Sequence, residues 1–194
     1  FSEKEKTGGK KGKSEKKSKK EKTCLPPEEQ CEFFNNNIEL KVAKILKIEN
    51  NPEAEKLYIE TLDDGSGKER IIQSGLREFL SPEELIGKNV IIVSNLQSRK
   101  IRGVESRGML LAASFKDGEK ECVEVLQAPW AKPGDKVVLE GESTSNEEKL
   151  EISGDEFFKV QIKAQNHNVQ IAGKNLMAAG KALTMDKTEN GGVH

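Results

Sequence analysis

The chain has 194 residues, of which 34% are hydrophobic and 34% charged, and its formal net charge is −1. That balance is polar for a globular protein, so part of the chain is expected outside any packed core. No apolar run approaches the ~20 residues of a membrane-spanning helix, and Cys24, Cys31 and Cys122 form no CxxC pair, which argues against a membrane protein, a disulfide framework and a zinc site. Free thiols suit a reducing compartment, so a cytoplasmic location is expected.

The charge is unevenly spread. Ten Lys against four Glu put +6 on residues 1–22, so residues 23–194 carry −7. Residues 1–22 hold no Leu, Ile, Val or Met. Residues 1–36 are therefore expected to be a disordered lysine-rich arm and linker, with Pro26-Pro27 and Asn35-Asn36-Asn37 as punctuation. The start at Phe1 rather than Met suggests a piece of a longer chain.

The folded part is expected from Ile38. Ile38, Leu40, Val42, Leu46 and Ile48 share one parity, which predicts a long first strand, and Lys44 breaks the pattern, which predicts a bulge nearby. Leu57–Leu62 and Arg70–Ser74 read as strands joined by an Asp/Gly/Ser hairpin connection. Ser81-Pro82-Glu83-Glu84 opens a short helix that Gly87 ends. Val90–Val93 is an unbroken apolar strand. Further strands are predicted at Met109–Ala113, Val123–Leu126 and Val137–Leu139. Three strands, a short helix and two or more strands is the element order of a five-stranded OB-fold barrel, a mainly β class. A barrel domain over 37–142 is expected. Residues 143–149 read as a linker, and the 143–194 segment, with strand signals at Phe157–Ile162 and Val169–Ile171, is too short to bury a core alone and should pack on the barrel.

No catalytic grouping emerges. Gly65-Ser66-Gly67-Lys68 misses the phosphate-loop spacing, because Leu62 and Glu69 stand where Gly and Ser/Thr belong, so a hairpin turn is expected there. His167 and His194 both lie in the last 30 residues, away from any nucleophile pattern. No enzyme, cofactor or metal is expected.

The stretch Ser94–Gly108 differs. Arg99, Lys100, Arg102 and Arg107 against Glu105 give +3 on an acidic body. In an OB-fold the loop between strands four and five frames the ligand face, and Arg there forks onto phosphates and stacks on unpaired bases. Lys41, Lys47 and Arg70 would extend that face. Tyr58 suits either a base stack or a core cap, and Trp130 is expected to pack. The arm would add affinity through counterion release, without sequence choice.

Three stretches carry a family resemblance: Ile38–Ile45 with Asn51–Tyr58, then Ser74-Gly75-Leu76, then Asn95-Leu96 through Arg102-Gly103-Val104-Glu105-Ser106-Arg107-Gly108-Met109. Over about residues 37–141 the chain resembles the tRNA-binding domain family. The resemblance implies an OB-type barrel that binds tRNA by structure rather than sequence, with Asn95, Ser106 and Met109 at signature positions. It implies an appendage serving an aminoacyl-tRNA synthetase catalytic domain, in cis or in trans, with a methionyl-, lysyl- or tyrosyl- enzyme as the parent. Phe157–Lys163, Val169–Ile171 and Thr184-Met185 are similar to the extra C-terminal domain of the endothelial monocyte-activating polypeptide II-like group, which implies a pseudo-dimer-interface domain and a monomer. That group also has a cytokine-like activity tied to a heptapeptide that corresponds to Lys41–Lys47, where this chain lacks the group's Gly and ends in Lys. A protein-interaction or signalling module is the competing expectation.

Overall fold

The computed structural model describes residues 24–144 and 147–194. The lysine-rich stretch therefore lies outside the described residues. Its expected continuation to residue 36 does not hold: Pro27–Asn37 is a helix, α1. Pro27 sits at its first position with Glu28 and Glu29 in the first turn, and Ile38 is already extended. Phe34, 2% exposed, anchors it in the core. At its C-terminal end the Lys149 ammonium donates to Ile38 O at 2.6 Å and Phe34 O at 3.4 Å.

Strand β1 (Leu40–Asn50) is the central strand of the first sheet. It pairs antiparallel with β2 (Tyr58–Asp63) on one side and with β4 (Asn89–Val93) on the other, and its first residues meet β10 (Lys136–Leu139). The register moves from Ile45↔Leu62 to Lys47↔Thr61, so Leu46 is the bulged residue and stands 45% exposed. β2 pairs with β3 (Glu69–Ser74). A short helix α2 (Pro82–Leu85) carries the Ser81/Glu84 capping box. β4 pairs with β7 (Met109–Leu110), and β8 (Ala112–Asp117) forms a hairpin with β9 (Lys120–Val125).

The result is mainly β, antiparallel and OB-like, but no ladder closes it into a barrel. Between β3 and the Ser106–Met109 segment the seam is held by Arg107 N to Ile71 O at 2.8 Å and by Gln73 N to Ser106 Oγ at 3.0 Å. Gly108 sits at this seam with φ +128°, and a Cβ there would meet Val93 O at 2.7 Å. The backbones approach too closely for any other residue.

The C-terminal segment continues the same sheet. Helix α3 (Gly154–Phe157) is followed by β11 (Ile162–Gln165), β12 (Asn168–Ile171), β13 (Lys174–Ala178), β14 (Lys181–Ala182) and β15 (Asn190–Gly192). β13 pairs with β10, which joins the segment to the first sheet. Of the strand expected over Phe157–Ile162, Phe157 ends α3, residues 158–160 turn, and only Ile162 is in a strand, as the first residue of β11. Ser153 and Glu156 form a reciprocal capping box, which starts a helix immediately before the two phenylalanines.

Two cores result. Ala43, Ile45, Leu62, Ile72, Val90, Ile92 and Leu110 fill the core on one face of the first sheet. Leu40, Val42, Ile91 and Val93 face the other way, into a cluster with Phe34, Phe157, Ile162, Ile171 and Leu176. β4 is thus buried on both faces, which is why Val90–Val93 shows no polar alternation.

Candidate nucleic-acid interface

The expected basic loop contains a hairpin, β5 (Arg99–Ile101) and β6 (Val104–Ser106). Its two-residue turn has Arg102 at φ 47° and Gly103 at φ 82°, the positive pair that a type I′ turn needs. Gln73 of β3 pins the turn: its Nε2 donates to Ile101 O and Val104 O, each at 2.8 Å, and its Oε1 accepts from Asn51 Nδ2 at 2.8 Å. Strand alternation then sorts the hairpin. Arg99, Ile101 and Ser106 face a cleft of about 270 Å³, while Lys100 stands opposite Glu105 on the other face. Leu57, Gln73 and Met109 line the same cleft, and its far wall is Leu96, Phe157 and Phe158.

Lys100 and Arg102 are exposed and make no ion pair among the described residues. Arg107 is also exposed, with Nη2 3.7 Å from Glu105 Oε2, a contact weak enough for water to compete. Arg99 is exposed at the rim of the cleft.

The remaining predicted residues are placed otherwise. Arg70 turns inward: Nε donates to Asp64 Oδ2 at 2.8 Å, and Nη1 donates to Arg107 O at 2.7 Å and Ser94 O at 3.1 Å. Its fork anchors the base of the hairpin segment. Burial pushes the Asp64 carboxyl up, and the bonds from Ser66 and Arg70 outweigh it, so it sits below the usual carboxylate range. Asn95 is buried. Its Oδ1 accepts from Glu39 N at 3.0 Å, and Nδ2 donates to Asn37 O at 2.7 Å and Leu150 O at 2.9 Å. It joins the chain before β1 to the C-terminal segment. Ser106 is 4% exposed and accepts from Gln73 N. Met109 is buried at the cleft wall.

Lys41 lies 3.2 Å from Glu39, which Lys136 approaches at 3.7 Å. Burial pushes the Glu39 carboxyl up, and the Ser94 hydroxyl together with Lys41 and Lys136 brings it below its ordinary value. Lys47 is exposed and pairs with Glu49 at 2.8 Å. Tyr58 caps the core, its hydroxyl donating to Leu80 O at 2.8 Å. Trp130 packs as expected, with Nε1 donating to Ala178 O at 2.8 Å. The Lys41–Lys47 heptapeptide is strand interior, with Val42, Ala43 and Ile45 fully buried. Gly65–Lys68 is the expected connection between β2 and β3, with Asp63 and Asp64 accepting from the amides of Gly65 and Ser66.

Sequence reasoning missed Gln73 and Phe158. Gln73 carried a signal, a polar residue directly after Ile71-Ile72 in a strand, which must find partners once buried. Phe158 carried none, because nothing in its own segment places it across from the hairpin.

The family model described as "Putative tRNA binding domain" matches residues 40–136 of the chain. The chain is similar to a methionine–tRNA ligase of Treponema denticola, 49% identical over 172 residues, which are 83% of this chain and 22% of that protein. It is also similar to a cytoplasmic tyrosine–tRNA ligase of Xenopus laevis, 36% identical over 160 residues, which are 80% of this chain and 30% of that protein. The chain therefore spans less than a third of the length of these curated relatives. Among solved structures it is similar to the C-terminal domain of Plasmodium vivax p43, with a TM-score of 0.74 and 26% identity, covering 82% of this chain and 98% of that one.

Proposed function

This chain belongs to the tRNA-binding domain family, and on that premise we propose that it is a non-catalytic module that binds tRNA by shape and charge and delivers it to the catalytic domain of an aminoacyl-tRNA synthetase, in the same chain or another. The observation that carries this reading is the hairpin. Lys100 and Arg102 are exposed without an ion pair among the described residues, on a body whose residues 23–194 total −7. Cations left free at that cost suit a polyanion. Contacts to phosphate would dominate, and selectivity would come from shape.

The lysine-rich residues 1–22 would add encounter rate and grip, and tethering would raise the tRNA concentration near the active site. The likeness to methionine–tRNA ligases favours a methionyl parent among the three expected from sequence. The place of work would be the cytoplasm. The C-terminal segment shares a core with β1 and β4, which supports its acting in place of a second copy, so that the module works as a monomer.

Binding of several unrelated tRNAs at physiological salt tests the proposal. Substituting Arg99, Lys100 and Arg102 with Ala is expected to weaken all of them by a similar factor, on the order of tenfold or more. Deleting residues 1–22 is expected to weaken them further. Unchanged affinity in both variants would overturn the reading.

A further inference from the structure

Residues 157–185 contain Lys159, Lys163, Lys174 and Lys181 and no Asp or Glu. That stretch carries +4 of a body that totals −7, so the rest of residues 23–194 carries −11. Two of the four lysines lie over aromatic rings, Lys159 5.4 Å from the centre of Phe33 and Lys181 4.7 Å from that of Trp130. Lys163 on β11 and Lys174 on β13 are exposed and form no ion pair among the described residues. Lys163 stands opposite Gln170 of β12 and Gly192 of β15. By contrast, the β8–β9 hairpin sets its lysines against acids, Lys116 opposite Glu121 and Lys120 opposite Asp117. Gln161, Lys163 and Gln165 alternate with the buried Ile162 and Ala164, which puts them on one exposed side, each about 7 Å from the next. The Gln161 amide donates to Gln30 Oε1 at 3.0 Å, and the side chains of Gln161 and Gln165 make no hydrogen bond among the described residues. With Gln170 and Gly173 these three border a cleft of about 120 Å³ whose walls hold no carboxylate. The neighbouring α1 contributes Pro27 and Gln30 to it, not Glu28 or Glu29.

We propose that this side of the C-terminal sheet is a second contact with the RNA backbone, in which a phosphate sits in the cleft with Lys163 as its counter-charge and Gln161 and Gln165 as hydrogen-bond donors. Lys174, directly after Ala172 and Gly173, adds charge beside it. The inference rests on the RNA-binding reading and deepens it, because it extends the footprint from the hairpin to the C-terminal segment. The cleft is well below the ~300–1,000 Å³ of sites that enclose a small molecule, so it fits a phosphate group rather than a whole nucleotide. A lysine meets phosphate as a point charge, and Gln side chains contact phosphate without choosing a base, which fits a sequence-tolerant binder. Ala172 and Gly173 are small, so a strand of RNA can come close to the backbone there. The rest of residues 23–194, at −11, repels a polyanion, which steers it to the hairpin and to this face. One RNA reaches both. Gln161 is four residues from Phe157, which lines the cleft under the hairpin, so their Cα atoms lie within about 14 Å of each other.

The experiment uses the full chain and one purified tRNA, and reads the slope of log K against log salt concentration. Lys163→Gln with Lys174→Gln is expected to lower the slope by about two and to weaken binding at physiological salt. Lys116→Gln with Lys120→Gln removes the same charge from the acid-flanked β8–β9 hairpin and is expected to leave the slope unchanged. In the unaltered chain, bound tRNA is expected to slow the acetylation of Lys163 and not that of Lys116, read by mass spectrometry. An unchanged slope in a folded Lys163/Lys174 variant, equal losses in the two variants, or no protection of Lys163 overturns the assignment. Equal protection of Lys163 by polyglutamate does so too, because the face would then dock an acidic polypeptide. If the assignment fails while loss of Lys100 and Arg102 still weakens tRNA binding, the second contact is wrong and the tRNA-binding reading stands. If neither pair of substitutions changes binding, both fail.

Discussion

The hairpin at Arg99–Ser106 and the seam around Glu39 are built from the same residue types, yet they use charge in opposite ways. At the seam, Lys41 and Lys136 converge on one buried carboxylate. Nearby, the Lys149 ammonium is spent on two backbone carbonyls and sits 5.7 Å from the centre of the Phe34 ring. Burial holds the Lys149 ammonium below its usual range. On the hairpin, Lys100 and Arg102 are exposed and form no ion pair among the described residues, although Glu105 stands across the strand from Lys100. Counting charge along the chain treats the two regions alike. What separates them is whether the fold clamps the cation onto a buried acceptor, and that decides which cations remain to meet a ligand.

Asn95 gives the largest expected effect. Asn95→Ala would strand the amide of Glu39 and the carbonyls of Asn37 and Leu150, at a cost of about 2–4 kcal/mol for a buried hub of three bonds. Chemical denaturation is expected to show that loss, while tRNA affinity measured well below the melting temperature stays within about twofold, since the side chain faces inward. A selective loss of tRNA affinity with stability retained would move Asn95 to the RNA face and blur the contrast.

Glu60 sharpens the comparison from the other side. It is fully buried, accepts from the Ser74 hydroxyl, and its Oε2 has no hydrogen-bond partner among the described residues. Burial pushes its carboxyl from 4.5 up to about 8. The folded state therefore holds a proton that the unfolded state releases above 4.5, so stability falls as pH rises from about 4.5 to about 8. Glu39, held low by its cations, works in the opposite sense: its contribution is present above its unfolded value and fades as pH falls. Glu60→Gln is expected to gain roughly 1–3 kcal/mol relative to the parent between pH 5 and pH 8. Denaturant midpoints at the two pH values check this, and parallel curves would show that the carboxyl is not titrating across that range.

Much of the OB-like sheet is legible in the sequence because its signals are local, whereas the expected barrel closure is not found. The first strand's parity break near Lys44 marks the bulge at Leu46, and Ser81-Pro82 marks α2. The double burial of β4 is written in its four consecutive apolar residues. What escapes depends on distant partners. α1 brings only Cys31, Phe33 and Phe34 as apolar contacts, beside the buried Gln30, and it is held because β12 and β10 lie beneath it. Phe157–Ile162 has the composition of a strand, and the Ser153/Glu156 cap overrides it. The site divides in the same way. The cationic character of residues 94–108 is local and legible, whereas the inward turn of Arg70, Asn95 and Ser106 requires acceptors and donors from three other elements.

The smallest structural perturbation provides the most direct test. Lys100→Ala with Arg102→Ala and Lys41→Ala with Lys136→Ala each remove two positive charges, so the net charge is matched. The hairpin pair is expected to change stability by less than about 0.5 kcal/mol, as solvated surface residues do. The measurement is the slope of log K against log salt concentration for tRNA binding by the parent chain and both variants. The hairpin pair is expected to lower the slope by about two, and the seam pair to leave it unchanged. Equal reductions in the two variants would contradict the account, because binding would then follow total charge rather than the cations the fold leaves free.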